Sequence, residues 1–452
     1  MRIRALGLVA LGVVAACSSS AKNGGTASDG DAGTQGSDGG ATGHGGDASA
    51  TAHDAAAGGA DAPGGGSETS TTGDGGFPAA GNPDGSCTSM AVPTQTKLVD
   101  TSSPTTVVGT GTPGSCTFDA LNAAVSKGGI VTFDCGPDPV TISVAATLTP
   151  PTTNAYATPT PPSLNIVIDG GNKVTLDGGG SVRILSWIHQ GSWQKNGDTL
   201  TIQRIRFANG KATPTEKIAA CPPSGNIANT ACSTGYDDGQ GGAINMQDGN
   251  LRVIDSIFEN NQAAMLGPDT GGGAIYLYGT GSPSYIMHSS FLNNAASNAG
   301  GVGMLWAGAY VLNSLFEGNR AVGTGANDVD ATQCTCSNMG NANQTGSGGN
   351  GGAIYKDGGD GMNLTICGTE IEGNSSNEFG PAIFLTADGS GAKLVIDDSN
   401  VSGNTSGNPV WQWCQGVSTD NPHGSSASSS PAPVQTTFCD AKGANCTTTC
   451  SS

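Results

Sequence analysis

Gly241-Gly242-Ala243-Ile244 opens the stretch that decides the fold, and Ser256-Ile257-Phe258-Glu259-Asn260-Asn261 closes it. Both phrases return as Gly272-Gly273-Ala274-Ile275 and Ser289-Ser290-Phe291-Leu292-Asn293-Asn294. Weaker copies begin at Gly300-Gly301, Gly351-Gly352 and Gly380-Pro381 and end at Asn319, Asn374 and Asn404. Self-similarity at a period of roughly 20 to 50 residues indicates a solenoid of stacked repeats.

Each repeat consists of short strands. Leu251-Arg252-Val253-Ile254 and Lys393-Leu394-Val395-Ile396 are strand-like runs that are too short for helices. Glycine and asparagine separate such runs, as turns require. The repeat measures 25 residues from Phe291 to Phe316, a length that two or three strands and their turns occupy. Each repeat is therefore predicted to form one coil of a parallel β-helix, and neighbouring coils should be about 4.8 Å apart.

Stacking of the repeats would align equivalent residues in columns. One column is apolar and fills the core: Phe207, Phe258, Phe291, Phe316, Ile371 and Val401. A second holds hydroxyl side chains: Ser256, Ser289, Ser314, Thr369 and Ser399. A third is a structural asparagine ladder: Asn261, Asn294, Asn319, Asn374 and Asn404. Buried asparagines in register can bond to each other and to the neighbouring backbone. The residue before each ladder position is Asn or Gly, which tolerates a left-handed turn.

The GGAI and FxxNN phrases resemble the repeat of the polymorphic outer-membrane protein family, over roughly residues 116–413. That family, like the pectate-lyase-like superfamily, is taken to form right-handed parallel β-helices. The resemblance therefore implies an all-β fold, a single-stranded right-handed parallel β-helix solenoid of about 7–9 coils with an N-terminal capping helix. It implies little about activity, because one fold hosts many functions.

The N-terminus reads as an export signal. Arg2 and Arg4 precede the short apolar run 6–16, which ends in Val14-Ala15-Ala16-Cys17. This ending resembles the lipobox of bacterial lipoproteins, which implies a signal peptide at 1–16 and lipidation of Cys17. The alternative is an ordinary signal peptide with a chance cysteine. We expect an exported protein, lipid-anchored at the bacterial outer membrane or cell surface, because Ser18 replaces the acidic residue often associated with retention at the inner membrane.

The remaining chain divides into three parts. Residues 17–85 are rich in Gly, Ala and Asp, and we expect a disordered tether because they cannot bury enough apolar surface. Residues 86–413 form the β-helix, interrupted by loop insertions at 211–239 and 322–350, and residues 414–452 are a Cys-rich tail. Insertions in solenoids become loops, often on the binding face. Both insertions should leave the β-helix near the turn at the asparagine ladder.

The region before the repeats predicts a helix and several strands. Phe118, Leu121, Ala124 and Val125 share one helical face, with Ser115 or Thr117 as the N-cap and Gly128-Gly129 as the stop. This helix would cover the open end of the first coil. Strands are predicted at 130–133, 140–144, 166–168, 174–176, 182–185 and 200–207.

Cysteine number favours disulfides. Thirteen cysteines less Cys17 leave twelve, and no pair of CxxC motifs suggests zinc. In an exported chain we expect six disulfides, with local pairs Cys116–Cys135 and Cys221–Cys232. The cysteines of the tail, Cys439, Cys446 and Cys450, would pair with one another and with Cys414.

The net charge of −19 argues against nucleic-acid binding and is compatible with Ca²⁺. No cofactor is expected, with Ca²⁺ in the insertions as the alternative, because oxygen ligands are present there. The weak Ca²⁺ candidates are Asp237, Asp238, Asp328 and Asp330. Other chemistry-bearing candidates are Asp397-Asp398, Arg204, Arg206, Arg252, Arg320, His189 and His288. Asp255 and Asp398 fall in the same column as His288 and Asn313, at an outward turn position. The structural alternative for each candidate is a turn or surface residue.

Two functions remain open. The first is a non-enzymatic, monomeric surface lipoprotein that presents the β-helix and its loops to a polysaccharide or a surface protein. The second is a polysaccharide-active lyase or glycoside hydrolase on the same scaffold, although no catalytic residue is assigned. Convergence of an Arg or Lys with two or more carboxylates in one groove would favour the enzyme. The aromatic residues Trp187, Trp193, Trp306, Tyr276, Tyr278 and Tyr355 are too thinly spread for a sugar-stacking surface and should pack in the core or at coil edges.

Overall fold

A computed structural model describes residues 77–189, 194–215, 237–267, 270–323, 348–358, 362–386, 392–407, 416–418, 436–439 and 446–447. Every described residue belongs to one compact unit of the chain, Ser70–Ser452. These residues form an all-β structure of long parallel sheets with one α-helix, α1 (Phe118–Lys127). Short 3-10 helices lie at Thr94–Thr96, Pro113–Ser115 and Asp237–Gly239.

The strands before the clear repeats are β1 (Thr106–Val108), β2 (Ile130–Phe133), β3 (Val140–Ser143), β4 (Asn165–Asp169), β5 (Val174–Asp177), β6 (Leu185–Ile188), β7 (Thr199–Gln203) and β8 (Arg206–Ala208). The next are β9 (Ile244–Gln247), β10 (Asn250–Ile254), β11 (Ile257–Glu259), β12 (Ile275–Tyr278), β13 (Ser284–Met287), β14 (Ser290–Leu292), β15 (Ala295–Ala296), β16 (Val302–Leu305), β17 (Ala309–Leu312), β18 (Leu315–Glu317) and β19 (Arg320–Ala321). The last are β20 (Ile354–Asp357), β21 (Leu364–Cys367), β22 (Glu370–Glu372), β23 (Ser375–Ser376), β24 (Ile383–Leu385), β25 (Leu394–Ser402), β26 (Thr405–Ser406), β27 (Val417–Ser418), β28 (Thr436–Cys439) and β29 (Cys446–Thr447).

Equivalent strands of successive repeats pair in register, and all of these pairings are parallel except β28–β29. The first ladder runs β1-β2-β4-β7-β10-β13-β17-β21-β25-β28, and the second runs β3-β5-β8-β11-β14-β18-β22-β25. A third sheet runs β6-β9-β12-β16-β20-β24-β27, and a short sheet runs β15-β19-β23-β26. Each complete repeat therefore contributes one strand to each ladder and sheet.

The apolar column fills the interior as the register of the repeats predicted. Phe207, Phe258, Phe291 and Phe316 are fully buried and stack with ring centroids 5.0, 5.1 and 4.5 Å apart. Ile371 and Val401 continue the column in the next two repeats. Aromatic rings stacked at strand spacing remove large apolar areas from water.

The hydroxyl column lies just inside the bend between the two ladders. Each hydroxyl donates to the carbonyl two residues earlier, as Ser289 Oγ does to Met287 O at 2.9 Å. It also accepts the backbone N–H of the preceding column member, as from Ser256 at 3.2 Å. The column therefore satisfies backbone groups that the bend removes from the ladders.

α1 covers the N-terminal end of the stack, as the sequence predicted. Its N-cap is Thr117, whose Oγ1 accepts the N–H of Ala120 at 3.2 Å, and it ends at Gly128 with φ of 74°. Leu121, Ala124 and Val125 are buried in the main core. An apolar helical face thus closes the first open layer of the core.

Three predictions about boundaries were wrong. The strand expected over 200–207 divides into β7 and β8 because Arg204 takes a left-handed φ of 51° and bends the chain. The tail is not separate from the sheets, since β27 pairs with β24 and β28 pairs with β25. Residues 77–85, assigned to the tether, lie on the repeats instead, where Gly81 N donates to Ser290 Oγ at 2.8 Å.

Two disulfides lie in the described residues. Cys116–Cys135 confirms the local pair expected from the sequence. Cys87–Cys367 was not foreseen, and it joins residues 280 positions apart. Cys439 and Cys446 are backbone partners in the antiparallel β28–β29 pair. Cys17, Cys221, Cys232, Cys414 and Cys450 lie outside the described residues.

Candidate binding groove on the turn column

One column of turn residues changes character from repeat to repeat. Its members connect the first ladder to the second and have left-handed φ values between 45° and 63°: Arg204, Asp255, His288, Asn313, Gly368 and Asp398. We call these six positions the turn column. Non-glycine residues enter this conformation at a cost, and Asn, Asp and His do so most readily. Side chains here leave the sheets at the outer surface and are free of the packing that fixes the interior.

At one end of the turn column, Arg204 pairs with the carboxylate of Asp169. Arg204 Nε donates to Asp169 Oδ1 at 3.0 Å, and its Nη2 donates to Oδ2. Asp169 also accepts from Thr101 Oγ1 at 2.7 Å, from Gln203 Nε2 at 2.9 Å and from the N–H of Gly171 at 3.0 Å. Burial alone would raise the pKa of Asp169, but these donors, Arg204 foremost, hold it below its usual value.

The next two members form a second pair. His288 Nδ1 lies 2.8 Å from Asp255 Oδ1, with 40% and 31% of the respective side chains exposed. An ionised carboxylate only accepts hydrogen bonds, so Nδ1 is the donor to Asp255. The hydrogen bond to Asp169 raises the pKa of Arg204 against the opposing effect of burial, and the charges of Asp169 and, last, of Asp255 add to the rise. Arg204 thus links the two pairs electrostatically.

Two cavities open beside these pairs. The first, of about 250 Å³, is lined by Asp169, Lys173, Arg204 and Cys135 of the Cys116–Cys135 disulfide. The second, of about 170 Å³, is lined by Asp255, His288, Asn172 and the apolar side chains Ile205 and Ile257. We call this surface, from Lys173 to His288, the groove. It combines cations, carboxylates and an imidazole with an apolar floor.

The walls of the groove come from a distant part of the chain. Residues 77–80 line the second cavity, and Thr101 lines the first. Beyond His288 the turn column is engaged by the protein itself. Asn82 N donates to Asn313 O at 3.1 Å, and Asn82 Nδ2 donates to Gly368 O at 3.1 Å. The groove is therefore limited to the first three members of the turn column.

Several of the other candidate residues have structural partners or are buried. His189 is fully buried, with Nε2 3.1 Å from Asp198 Oδ2 and Nδ1 3.0 Å from Gln247 O. Arg206 pairs with Glu259. Trp187, Tyr276 and Tyr355 are buried, as expected for core or coil-edge packing, whereas Trp193 lies outside the described residues.

The structure gives little support to a Ca²⁺ site at the candidate aspartates. Asp238 accepts from Thr215 N at 2.6 Å and Thr215 Oγ1 at 2.7 Å, and Arg183 lies close to it. Burial lowers the pKa of Arg183, while the charge of Asp238 opposes this shift. Asp328 and Asp330 lie outside the described residues, as does most of each insertion. No group of three or more His, Cys, Asp or Glu within the described ranges is arranged to hold a metal ion.

The asparagine ladder is a hydrogen-bonded column of the interior. Asn294 Nδ2 donates to Asn319 Oδ1 at 2.9 Å and to Phe258 O at 3.0 Å, while Asn294 Oδ1 accepts from Asn261 Nδ2 at 3.0 Å. The same pattern continues through Asn374 to Asn404. Asn261, Asn294, Asn319 and Asn374 are at most 1% exposed, so the ladder offers no surface to a ligand.

Comparison with known proteins gives no family. No protein-family model, curated protein or solved structure matches this chain. Among the described residues, no helix is both long and apolar enough to cross a membrane.

Sequence reasoning found part of the groove and missed the rest. It named Arg204 and His288 and placed Asp255 in the same column as His288, but it gave all of them turn roles. Asp169 and Lys173 were not considered, because they lie before the first clear repeat. Their register with Arg204 becomes visible only when β4 pairs with β7 and places Asp169 beside Gln203.

Proposed function

We propose that the stacked ladders are the faces of a right-handed parallel β-helix that binds a carbohydrate in the groove. Parallel pairing in register from repeat to repeat supports the β-helix, and parallel crossovers are almost always right-handed. The observation that carries the binding proposal is the run Lys173, Arg204, Asp255 and His288, which lines two neighbouring cavities. Most ionisable candidates elsewhere in the described chain have structural partners.

A carbohydrate fits the chemistry of this surface. Sugar rings present hydroxyl groups to Asp, His and Asn side chains and present C–H faces to apolar ones, and the groove offers both. Ligand sites commonly combine an apolar lining with a few polar groups that fix orientation. The groove also follows the direction in which repeats stack, so a linear chain of sugars could contact neighbouring repeats in turn.

Binding is best tested with a panel of neutral and acidic oligosaccharides, each measured by calorimetry with and without Ca²⁺. We expect at least one class to bind, and His288→Ala and Lys173→Ala each to weaken its binding about tenfold, as loss of one hydrogen bond of about 1.4 kcal/mol would. The exposed Lys393 serves as the control, and Lys393→Ala should leave binding unchanged. Equal binding by all three variants would place the site elsewhere.

A second candidate function is cleavage of a polysaccharide. Arg204 is hydrogen-bonded to the carboxylate of Asp169 and also feels the charge of Asp255, and His288 has one nitrogen held by Asp255. This is the convergence of a cation with two carboxylates that favours an enzyme. A histidine oriented by a carboxylate can act as a general base. Release of new sugar ends by the wild type, absent in His288→Ala, would support this function, whereas tight binding without cleavage would exclude it for that substrate.

We also propose that the protein is exported and anchored through Cys17. The lipobox-like ending Val14-Ala15-Ala16-Cys17 supports this. The wild type should partition with membranes, and Cys17→Ala should be released or misprocessed. Recovery of wild-type protein in the soluble fraction would contradict the anchor.

A further inference from the structure

Residues 77–101, which we call the strap, run along the outside of the stack before the chain enters β1. We propose that the strap is a mechanical clamp, which carries tension from the chain before Phe77 directly into β21 and leaves residues 88–366 unloaded. While the protein is held by its N-terminal anchor, the clamp would keep Lys173, Arg204, Asp255 and His288 unloaded, and only the wall of the groove formed by residues 77–80 lies in the loaded segment. This inference rests on the proposed anchor for its biological meaning but not for its test.

The first part of the strap crosses successive repeats. Gly81 N donates to Ser290 Oγ at 2.8 Å, and Asn82 bonds to Asn313 and Gly368 in the next two repeats. Cys87 N donates to Asn313 Oδ1 at 3.0 Å. Thus the segment between Phe77 and Cys87 is attached sideways to three neighbouring repeats and not to the N-terminal end of the stack.

Next comes the covalent attachment. Cys87 and Cys367, the last residue of β21, form a disulfide. Immediately after it, Asp398 Oδ2 accepts from Thr88 N at 2.7 Å, Thr88 Oγ1 at 2.9 Å and Ser89 N at 3.0 Å. Burial opposes ionisation of Asp398, but these donors outweigh it and lower its pKa. The strap is therefore fixed on two consecutive repeats at its turning point.

The strap then returns toward the N-terminal end of the stack. Residues 94–96 lie beside β10 and β13. Val99 exchanges two hydrogen bonds with the side chain of Gln203, at 2.9 and 3.0 Å, and Thr101 reaches Asp169. The return path ends at β1, which pairs with β2 beneath α1.

A solenoid needs such a device if it is pulled from one end. Each repeat contacts mainly its neighbours, so unfolding can start at an end and propagate. Without the disulfide, tension on Phe77 would remove the strap, then β1 and α1, and would open the core behind Leu121. With it, tension passes from Cys87 to Cys367, and the intervening residues form a closed covalent loop that includes Lys173, Arg204, Asp255 and His288.

Single-molecule pulling of the full mature chain, with handles at the two termini, tests the clamp. Oxidised wild type should extend roughly 900–1,000 Å less than the Cys87→Ser/Cys367→Ser variant, the length of the residues enclosed by the loop. That variant should also begin to unravel at a lower force than the wild type, because its N-terminal end is loaded. The matched control is Cys116→Ser/Cys135→Ser, whose loop lies inside the larger one, and its total extension should equal that of the wild type.

A second experiment keeps both cysteines and therefore does not depend on the folding of a disulfide variant. A protease site introduced between Val92 and Leu98, which are both 42% exposed or more, allows the strap to be cut after Cys87 in the oxidised protein. We expect the cut protein to remain attached to its N-terminal handle and to give the wild-type extension. Loss of the handle after cutting, equal extension of wild type and Cys87→Ser/Cys367→Ser, or equal unravelling forces would each overturn the clamp. Failure of membrane anchoring or of sugar binding would leave these outcomes unchanged.

Discussion

The asparagine ladder and the turn column both recur once per repeat, yet they differ in every other respect. Ladder positions hold the same residue five times, and their side chains bond to one another and to main-chain groups of the preceding repeat. Turn-column positions hold Arg, Asp, His, Asn, Gly and Asp in succession. Both columns lie at bends of the backbone, so the bend alone does not explain the difference.

The hydrogen-bonding partners of the side chains explain the difference between the asparagine ladder and the turn column. A buried asparagine must satisfy its amide and two backbone groups with atoms of the adjacent repeats, and only another asparagine in register supplies the same geometry in both directions. A turn-column residue needs only a tolerable left-handed backbone. Its side chain is then available to other partners, which are the strap at Asn313 and Asp398 and the groove at Arg204, Asp255 and His288.

Substitution within the ladder should produce the largest change in stability. Asn294→Leu removes the donors to Phe258 O and Asn319 Oδ1 and the acceptor for Asn261. Each buried group left unpaired costs about 1–3 kcal/mol, so we expect the free energy of unfolding to fall by more than ~3 kcal/mol. Asn293→Gly is the neighbouring control. Asn293 is exposed with φ of 56°, and chemical denaturation should detect almost no change. Similar losses for both substitutions would show that the ladder hydrogen bonds of Asn294 are not the cause of the change.

The second largest effect is expected from acid, which should weaken the Arg204–Asp169 pair at one end of the turn column. The pKa of Asp169 is lower in the folded chain than its unfolded value of about 3.9, so its ionised form stabilises the fold above that value. This contribution is lost as the pH falls below about 4. Asp169→Asn should flatten the fall in unfolding free energy below pH 4 and lower stability at pH 7. The exposed Asp138→Asn should change neither, and an unaltered acid profile in Asp169→Asn would refute the assignment.

Exchange of a groove residue should leave stability nearly unchanged. His288→Asn places at a left-handed turn the residue that Asn313 already supplies one repeat later, so the free energy of unfolding should change by less than about 0.5 kcal/mol. Carbohydrate binding should nevertheless weaken. The converse substitution, Asn313→His, removes the acceptor for Cys87 N, and thermal denaturation should show the larger loss for it. A greater loss in His288→Asn would make His288 structural.

The smallest effect is expected on the outer face of the second ladder. Burial, and then repulsion from Glu372, raise the pKa of Glu370, while burial and repulsion from Glu317 raise that of Glu372. Both raised values mean that protonation favours the folded state, so this contribution is present below about pH 4.3 and is lost as the pH rises toward neutrality. Glu372→Gln should slightly raise the melting temperature at pH 7 and have no effect near pH 4. A lower melting temperature at pH 7 would show that the charge is stabilising.

The sequence by itself determined the interior. The spacing of Phe258, Phe291 and Phe316 and of the asparagines after them predicted which residues stack, and Gly or Asn before each asparagine predicted the left-handed turn. The same local reasoning predicted α1 and the Cys116–Cys135 disulfide, and it offered Ser115 or Thr117 as the cap, of which the structure uses Thr117. These features follow from one repeat or from neighbouring segments, because a stack in register places identical residues against one another.

Only the tertiary structure determined the contacts on the outer surface of the stacked repeats. Residues 81–89 of the strap bond to residues that follow them by more than 200 positions, and nothing in the composition of residues 77–101 signals Ser290, Asn313 or Asp398 as partners. Asp169 joins Arg204 because β4 pairs with β7, and Cys87 joins Cys367 because the strap crosses several repeats before it turns. Repetition in a sequence specifies contacts between copies of the same position. Contacts between a unique segment and the repeats have no such pattern, and they exist only after the repeats have stacked.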